Sequence, residues 1–260
     1  MQQVLSQARK FLAESPAWCR LVVCASVSLH LIRPYIPILG QLSLSWDGLF
    51  QHAHVYELFT YPFVHVSLLH LLLNCIALVS LMPTFERTHG TAVTFLLCMI
   101  PYTLVPGTAH LITTRFFSKS PGISVAGLSG WVFAFLSAQC CQAAPNARTR
   151  EVFGWSPSKK WLPLFYLLLT TLMIPNSSFI GHTFGMLTGY ATPWMMSHVP
   201  FATIAARCDQ RLVTIPSYYE LNPAQLNPTA MILPVTIDDA AAVTTNTPTT
   251  FPGRGTRLGT

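Results

Sequence analysis

Apolar residues in this chain come in long blocks separated by short polar stretches, at 17–38, 66–83, 91–113, 122–143, 161–174 and 178–198. About 20 apolar residues in a helix cross the hydrocarbon core of a bilayer, and most of these blocks approach that length, the fifth being short. The pattern predicts an all-α, polytopic membrane protein with six transmembrane helices. Beyond Arg211 it breaks down, with Pro216, Pro223, Pro228, Pro234 and Pro248 set among Thr, Asn and Ala and no sustained helical period. Such a stretch reads as a disordered tail. Three regions result: an N-terminal segment at 1–15, a six-helix domain at 16–200 and a tail at 201–260.

Composition agrees with the blocks. Hydrophobic residues make up 51% of the chain and charged ones 9%, with mean hydropathy +0.45, which excludes an ordinary soluble domain. Orientation follows from the basic residues. With a cytosolic N-terminus and six spans, 12 of the 15 Lys and Arg fall on the cytosolic side, and only Arg33, Arg115 and Lys119 face away. The positive-inside rule therefore predicts that both termini are cytosolic. The net charge of +6 is explained by topology, without a nucleic-acid partner.

The first fifteen residues carry neither an apolar signal core nor an Arg/Ser-rich transit pattern. Val4, Leu5, Ala8, Phe11 and Leu12 fall at helical spacing, so this segment is either a short amphipathic helix on the cytosolic face or an irregular polar lead-in. The seven cysteines lie in or at the cytosolic ends of the blocks without ligand-like spacing beside histidine, so neither disulfides, a metal site nor any other cofactor is expected. Cys140, Cys141 and Cys208 are positioned either to accept palmitate or to remain thiols.

Polar residues inside apolar blocks carry the candidate chemistry, because they are expensive at that depth. Ser129 lies in Gly127-Leu128-Ser129-Gly130 and His182 in Gly181-His182, while His70 and Asn74 are four apart on one face of the second span. These spans all enter from the non-cytosolic side. Asn74, Ser129 and His182 each come early, which puts them at a common depth of about 5–15 Å. Gly181, Gly185 and Gly189 on the sixth span, and Gly130, Ala134 and Ala138 on the fourth, supply the small residues at every fourth position that let membrane helices approach closely. A serine beside a histidine supports acyl transfer, with Ser129 as nucleophile and His182 as general base and then acid. No acidic residue lies in the spans near His182, so a dyad is expected. His70, Asn74 and the Ser129 N–H would form the oxyanion site. Gly127 and Gly130 would permit the tight backbone approach.

His65-x4-His70-x3-Asn74, Glu86 and Gly90, Gly127-x-Ser129-Gly130 and Gly181-His182-x2-Gly185-x3-Gly189 resemble the rhomboid intramembrane serine proteases. The resemblance covers 57–198 and implies the six-helix rhomboid core, a Ser129–His182 catalytic dyad, oxyanion roles for His70 and Asn74, a structural role for His65, and single-span membrane proteins as substrates. One departure is the missing Trp-Arg pair between Asp47 and Tyr61, which many rhomboids carry in their first loop.

Near the C-terminal end runs Phe251-Pro252-Gly253-Arg254-Gly255-Thr256-Arg257-Leu258-Gly259. Phe251 and Leu258 are apolar anchors, and Pro252, Gly253, Gly255 and Gly259 allow close backbone contact. The segment resembles the SHP box, which implies docking on a hexameric AAA unfoldase of the valosin-containing-protein type. A rhomboid core with this ending is similar to the fungal Golgi rhomboids implicated in processing sterol regulatory element-binding transcription factors. That similarity implies residence in the Golgi or, alternatively, the endoplasmic reticulum. The competing expectation is a derlin-like extraction adaptor, which shares the fold but lacks the serine and histidine. A transporter would require inverted repeats, which the sequence does not display.

Overall fold

The computed structural model describes residues 2–36, 41–117, 124–143, 158–174, 178–198 and 201–221. The elements are α1 (Gln2–Glu14), α2 (Ala17–Ile32), α3 (Trp46–Gln51), α4 (Glu57–Thr60), α5 (Leu68–His89), α6 (Thr91–Met99), α7 (Pro101–Phe117), α8 (Ser129–Gln142), α9 (Leu162–Met173), α10 (Phe179–His198) and α11 (Phe201–Leu212). Among the described residues there is no β-strand, and Leu44 and Val125 form an isolated antiparallel bridge.

Two helical stretches, Leu68–His89 and the nearly continuous Thr91–Phe117, are long and apolar enough to cross a membrane. Outward-facing surfaces fit the same setting. Leu69, Leu72, Leu73 and Ile76 of α5 are exposed, as are Phe165, Leu168, Leu169 and Leu172 of α9. Each set has i, i+3, i+4, i+7 spacing, hence a single helical face turned outward, a surface that lipid rather than water covers.

α8 is the central helix, packed against α5, α7, α9 and α10, with its most extensive contact on α10. Trp131, Phe135, Tyr102, Phe85, Leu78, Met82 and Leu128 form the buried centre. Two polar groups there pair across helices: Trp131 Nε1 donates to Thr103 Oγ1 at 2.9 Å, and the Tyr102 hydroxyl meets Thr192 Oγ1 at 2.7 Å.

Several boundaries differ from the sequence expectation. α2 stops at Ile32 rather than 38, because Pro34 follows in a 3-10 turn and cannot continue the ladder. α5 runs past Pro83 to His89, held by the buried face of Met82, Phe85, Glu86 and His89. Gly90, at φ +93°, ends it. The fourth helix begins at Ser129 instead of 122, because Val125 is bridged to Leu44 and Gly127 has φ +116°. Of the two alternatives left for the N-terminal segment, the structure has a helix, α1.

The tail does not begin at 201. α11 buries Ala205, and residues 213–221 fold back onto the core. Ala17 N–H donates to Ser217 O at 2.9 Å, Thr91 N–H to Tyr219 O at 2.7 Å, and Tyr219 N–H to Thr91 Oγ1 at 3.0 Å. Asp209 accepts from the Tyr218 hydroxyl at 2.6 Å and from Leu221 N–H at 2.9 Å. Burial, with help from this carboxylate, holds the Tyr218 phenol above its ordinary pKa. The SHP-like residues 251–259 lie outside the described residues.

Candidate active site

Ser129 is the first residue of α8 and half-buried. The sequence placed it inside a span, whereas the structure puts it at the mouth of the central helix. Its N–H is one of the first-turn amides without an intrahelical acceptor, available to an incoming oxyanion.

The segment leading into Ser129 is pinned from three sides. Leu44 and Val125 exchange backbone hydrogen bonds at 3.0 and 2.9 Å, and Gly127 N–H donates to Tyr61 O at 2.9 Å. His65 accepts a long hydrogen bond from Leu128 N–H at its Nε2, 3.4 Å, while its Nδ1 lies 3.2 Å from Phe63 O. Those partners fit a neutral ring protonated at Nδ1. His70 sits 5.1 Å from His65, ring to ring, and fills the space that a side chain on Gly127 would take, with a Cβ there falling 2.7 Å from His70 Cε1. The glycine thus provides both the positive φ and the room for the histidine beside the serine.

α10 brings the second histidine. A Cβ on Gly185 would stand 2.5 Å from Gly130 O, and Gly189 is similarly tight against Ala134, 2.8 Å from its carbonyl carbon. The two backbones are therefore in contact at both levels, as the small-residue spacing predicts. This approach stacks buried His182 on Phe133, with ring centroids 4.7 Å apart and planes inclined by 27°. Phe133 is one turn beyond Ser129, on the same face of α8. His182 Nδ1 is buried without a hydrogen-bond partner.

Asn74 is buried, with its Nδ2 donating to His70 O at 2.9 Å. One of its amide hydrogens thus serves its own helix. No group of three or more potential metal ligands occurs among the described residues.

Three features escaped the sequence reading. Buried Glu57 organises the first loop, accepting from Ser45 N–H at 2.9 Å and Ser45 Oγ at 3.2 Å and meeting His54 Nδ1 at 3.1 Å. The missing Trp-Arg pair has a counterpart, since Trp46 is covered by Arg115 from α7, 5.5 Å from the ring centre. Sequence proximity could not show this pairing. His110 of α7 is buried beside Ser178, and its position in an apolar block was the signal.

A bundle with outward apolar faces, a half-buried serine at a helix start and a buried histidine on the helix packed against it has the makings of an intramembrane hydrolase. The Rhomboid domain family model matches residues 52–199, and the chain belongs to the rhomboid family. Similar proteins include the rhomboid-type serine protease 2 of Gibberella zeae, 31% identical over 190 residues, covering 71% of this chain and 69% of the relative. That of Neurospora crassa is 33% identical over 199 residues, covering 71% and 68%. That of Saccharomyces cerevisiae is 33% identical over 167 residues, covering 63% and 62%. The chain is thus a multi-pass rhomboid-type intramembrane serine protease, acting on membrane proteins within the bilayer.

Proposed function

We propose that Ser129 Oγ attacks the scissile carbonyl of a single-span membrane protein near its non-cytosolic end while His182 accepts the serine proton. His182 then passes that proton to the leaving amine, and a water deacylates the enzyme by the same exchange. The observation that supports this reading is the α8–α10 contact at Gly130–Gly185, together with the stacking of His182 on Phe133, one helical turn beyond Ser129. His70, Asn74 and the Ser129 N–H make up the oxyanion site, with Asn74 turning from His70 O when substrate binds; each such donor contributes about 10²–10³ in rate. Substrates whose helix is weakened near the cleavage point are preferred, because the peptide must leave its helix before attack.

The finer setting belongs to the same proposal. Six spans make up the rhomboid core, both termini are cytosolic, and the protein resides in the Golgi. The tail engages a valosin-containing-protein-type unfoldase through Phe251, Pro252, Gly253, Gly255, Leu258 and Gly259. This couples cleavage to extraction in processing a membrane-bound transcription-factor precursor.

The test is cleavage of a fluorescent single-span substrate by the purified chain in liposomes, comparing wild type with Ser129→Ala and His182→Ala. Activity lost in both supports the dyad. Activity retained in either removes that residue from the chemistry, and an inactive wild type that still binds the unfoldase favours a derlin-like adaptor.

A further inference from the structure

The start of α10 is not held by its own residues alone. Ser178 caps it, with Oγ accepting from Gly181 N–H at 3.0 Å and its carbonyl accepting from His182 N–H at 3.0 Å. The same Oγ shares a 2.8 Å hydrogen bond with His110 Nδ1 of α7. Gly181 makes this possible, because a Cβ there would stand 2.9 Å from Ser178 Oγ. His110 is 6% exposed, and α7 packs broadly along α10. The remaining ring nitrogen of His110, Nε2, is buried without a partner, as is His182 Nδ1.

Ser178 and His182 are four apart, hence on the same face of α10 and one turn from each other. Whatever fixes Ser178 therefore fixes where His182 stands at the start of α10. We propose that His110 is a positioning residue for His182, acting through the Ser178 cap and supplying the inter-helix anchor that a dyad without a carboxylate otherwise lacks. The inference rests on the reading of His182 as the base. Its energetic logic is that a helix-terminal residue has freedom to fray, and a displacement of about 1 Å at a reacting group can lower a rate by about 10². A neutral, buried hydrogen bond between two helices restrains that end without placing a charge in the bilayer.

The test uses the full chain in liposomes, with active sites titrated by a fluorophosphonate probe that labels an activated serine. His110→Leu should lower kcat per titrated site about tenfold while KM changes less than about twofold, the split expected for a misplaced base. His110→Asn, whose amide can stand where Nδ1 stood, should recover most of the loss. Ser178→Ala removes the same link without disturbing the buried ring, and it carries the test if His110→Leu does not fold. The double variant His110→Leu/Ser178→Ala should be no worse than the poorer single one. A merely structural role would lower the melting temperature and the number of titrated sites but leave kcat per site unchanged, and that result overturns the proposal. So does full additivity in the double variant. Ser129→Ala and His182→Ala run beside these, and activity surviving in either points to failure of the dyad reading rather than of the anchor.

Discussion

Gly185 lies against Gly130 so closely that a Cβ on the first would stand 2.5 Å from the carbonyl oxygen of the second. The obstacle is backbone, which cannot rotate aside. Gly185→Ala should therefore push α10 off α8 and move His182 with it. Overpacking of this kind typically costs about 1–3 kcal/mol. We expect Gly185→Ala and Gly189→Ala each to lower proteolysis at least about tenfold, since a shift of about 1 Å suffices. Steady-state cleavage in liposomes checks this, and wild-type rates in both variants would show that the helix contact does not set the site.

Gly127 is constrained twice. Its φ of +116° is one that residues with a Cβ rarely adopt, and the His70 ring occupies the place of any side chain. Gly127→Ala should be inactive, with strain of about 1–3 kcal/mol from the backbone alone. Combining it with His70→Ala relieves the collision but not the dihedral, so melting temperature should recover only in part. Full recovery in the double variant would mean that the collision was the whole effect.

Glu86 replaces a missing cap at the other end of the bundle. α2 follows Pro16, which has no side-chain acceptor, and the N–H groups of Trp18 and Cys19 donate instead to Glu86 Oε1 and Oε2 at 2.8 and 2.9 Å. Thr91 Oγ1 adds a third bond at 2.8 Å. Glu86→Ala leaves these donors buried and unpaired, at about 1–3 kcal/mol each. Melting temperature in detergent should fall in the order wild type, Glu86→Gln, Glu86→Ala. Because Glu86 lies at the opposite end of α5 from His70, kcat per active site at low temperature should be unchanged. A changed kcat with an unchanged melting temperature would contradict the capping role.

Much of this was legible because membrane helices obey few rules. Apolar block length pointed to a helical bundle, though the third block is divided into α6 and α7, and glycine spacing permitted the α8–α10 contact that the structure has. Local backbone was harder to read. That α8 starts at Ser129 depends on the Leu44–Val125 bridge, a contact across 81 residues of sequence that no periodicity encodes. The run of α5 through Pro83 likewise depends on burial of Phe85 and Glu86 by other helices. Asn74 was correctly placed on the His70 face, but whether its amide turns outward or onto its own helix is a rotamer choice. The Trp46–Arg115 pair shows a loop contact supplied by a partner distant in sequence.

The segment after α11 was read as featureless because Pro216 and the lack of a helical period hide what its backbone does. Ser217 has φ +64°, turning the chain so that Ser217 O reaches Ala17 and Tyr219 reaches Thr91. Gly90 leaves the room, since a Cβ there would stand 2.9 Å from Leu221 N. Arg87 adds a hydrogen bond to the Tyr219 hydroxyl at 3.4 Å. This strap ties the start of α2 to the α5–α6 corner, beside the Glu86 cap. Truncation after residue 221 should leave melting temperature and proteolysis as in the full chain. Truncation after residue 212 removes the strap's backbone hydrogen bonds to Ala17 and Thr91, at about 1 kcal/mol apiece. It should lower the melting temperature by several degrees and slow cleavage only through loss of folded protein. Equal melting of the two truncations would show that the strap merely rests on the core. Lower melting of the shorter one would make the strap part of the folded core.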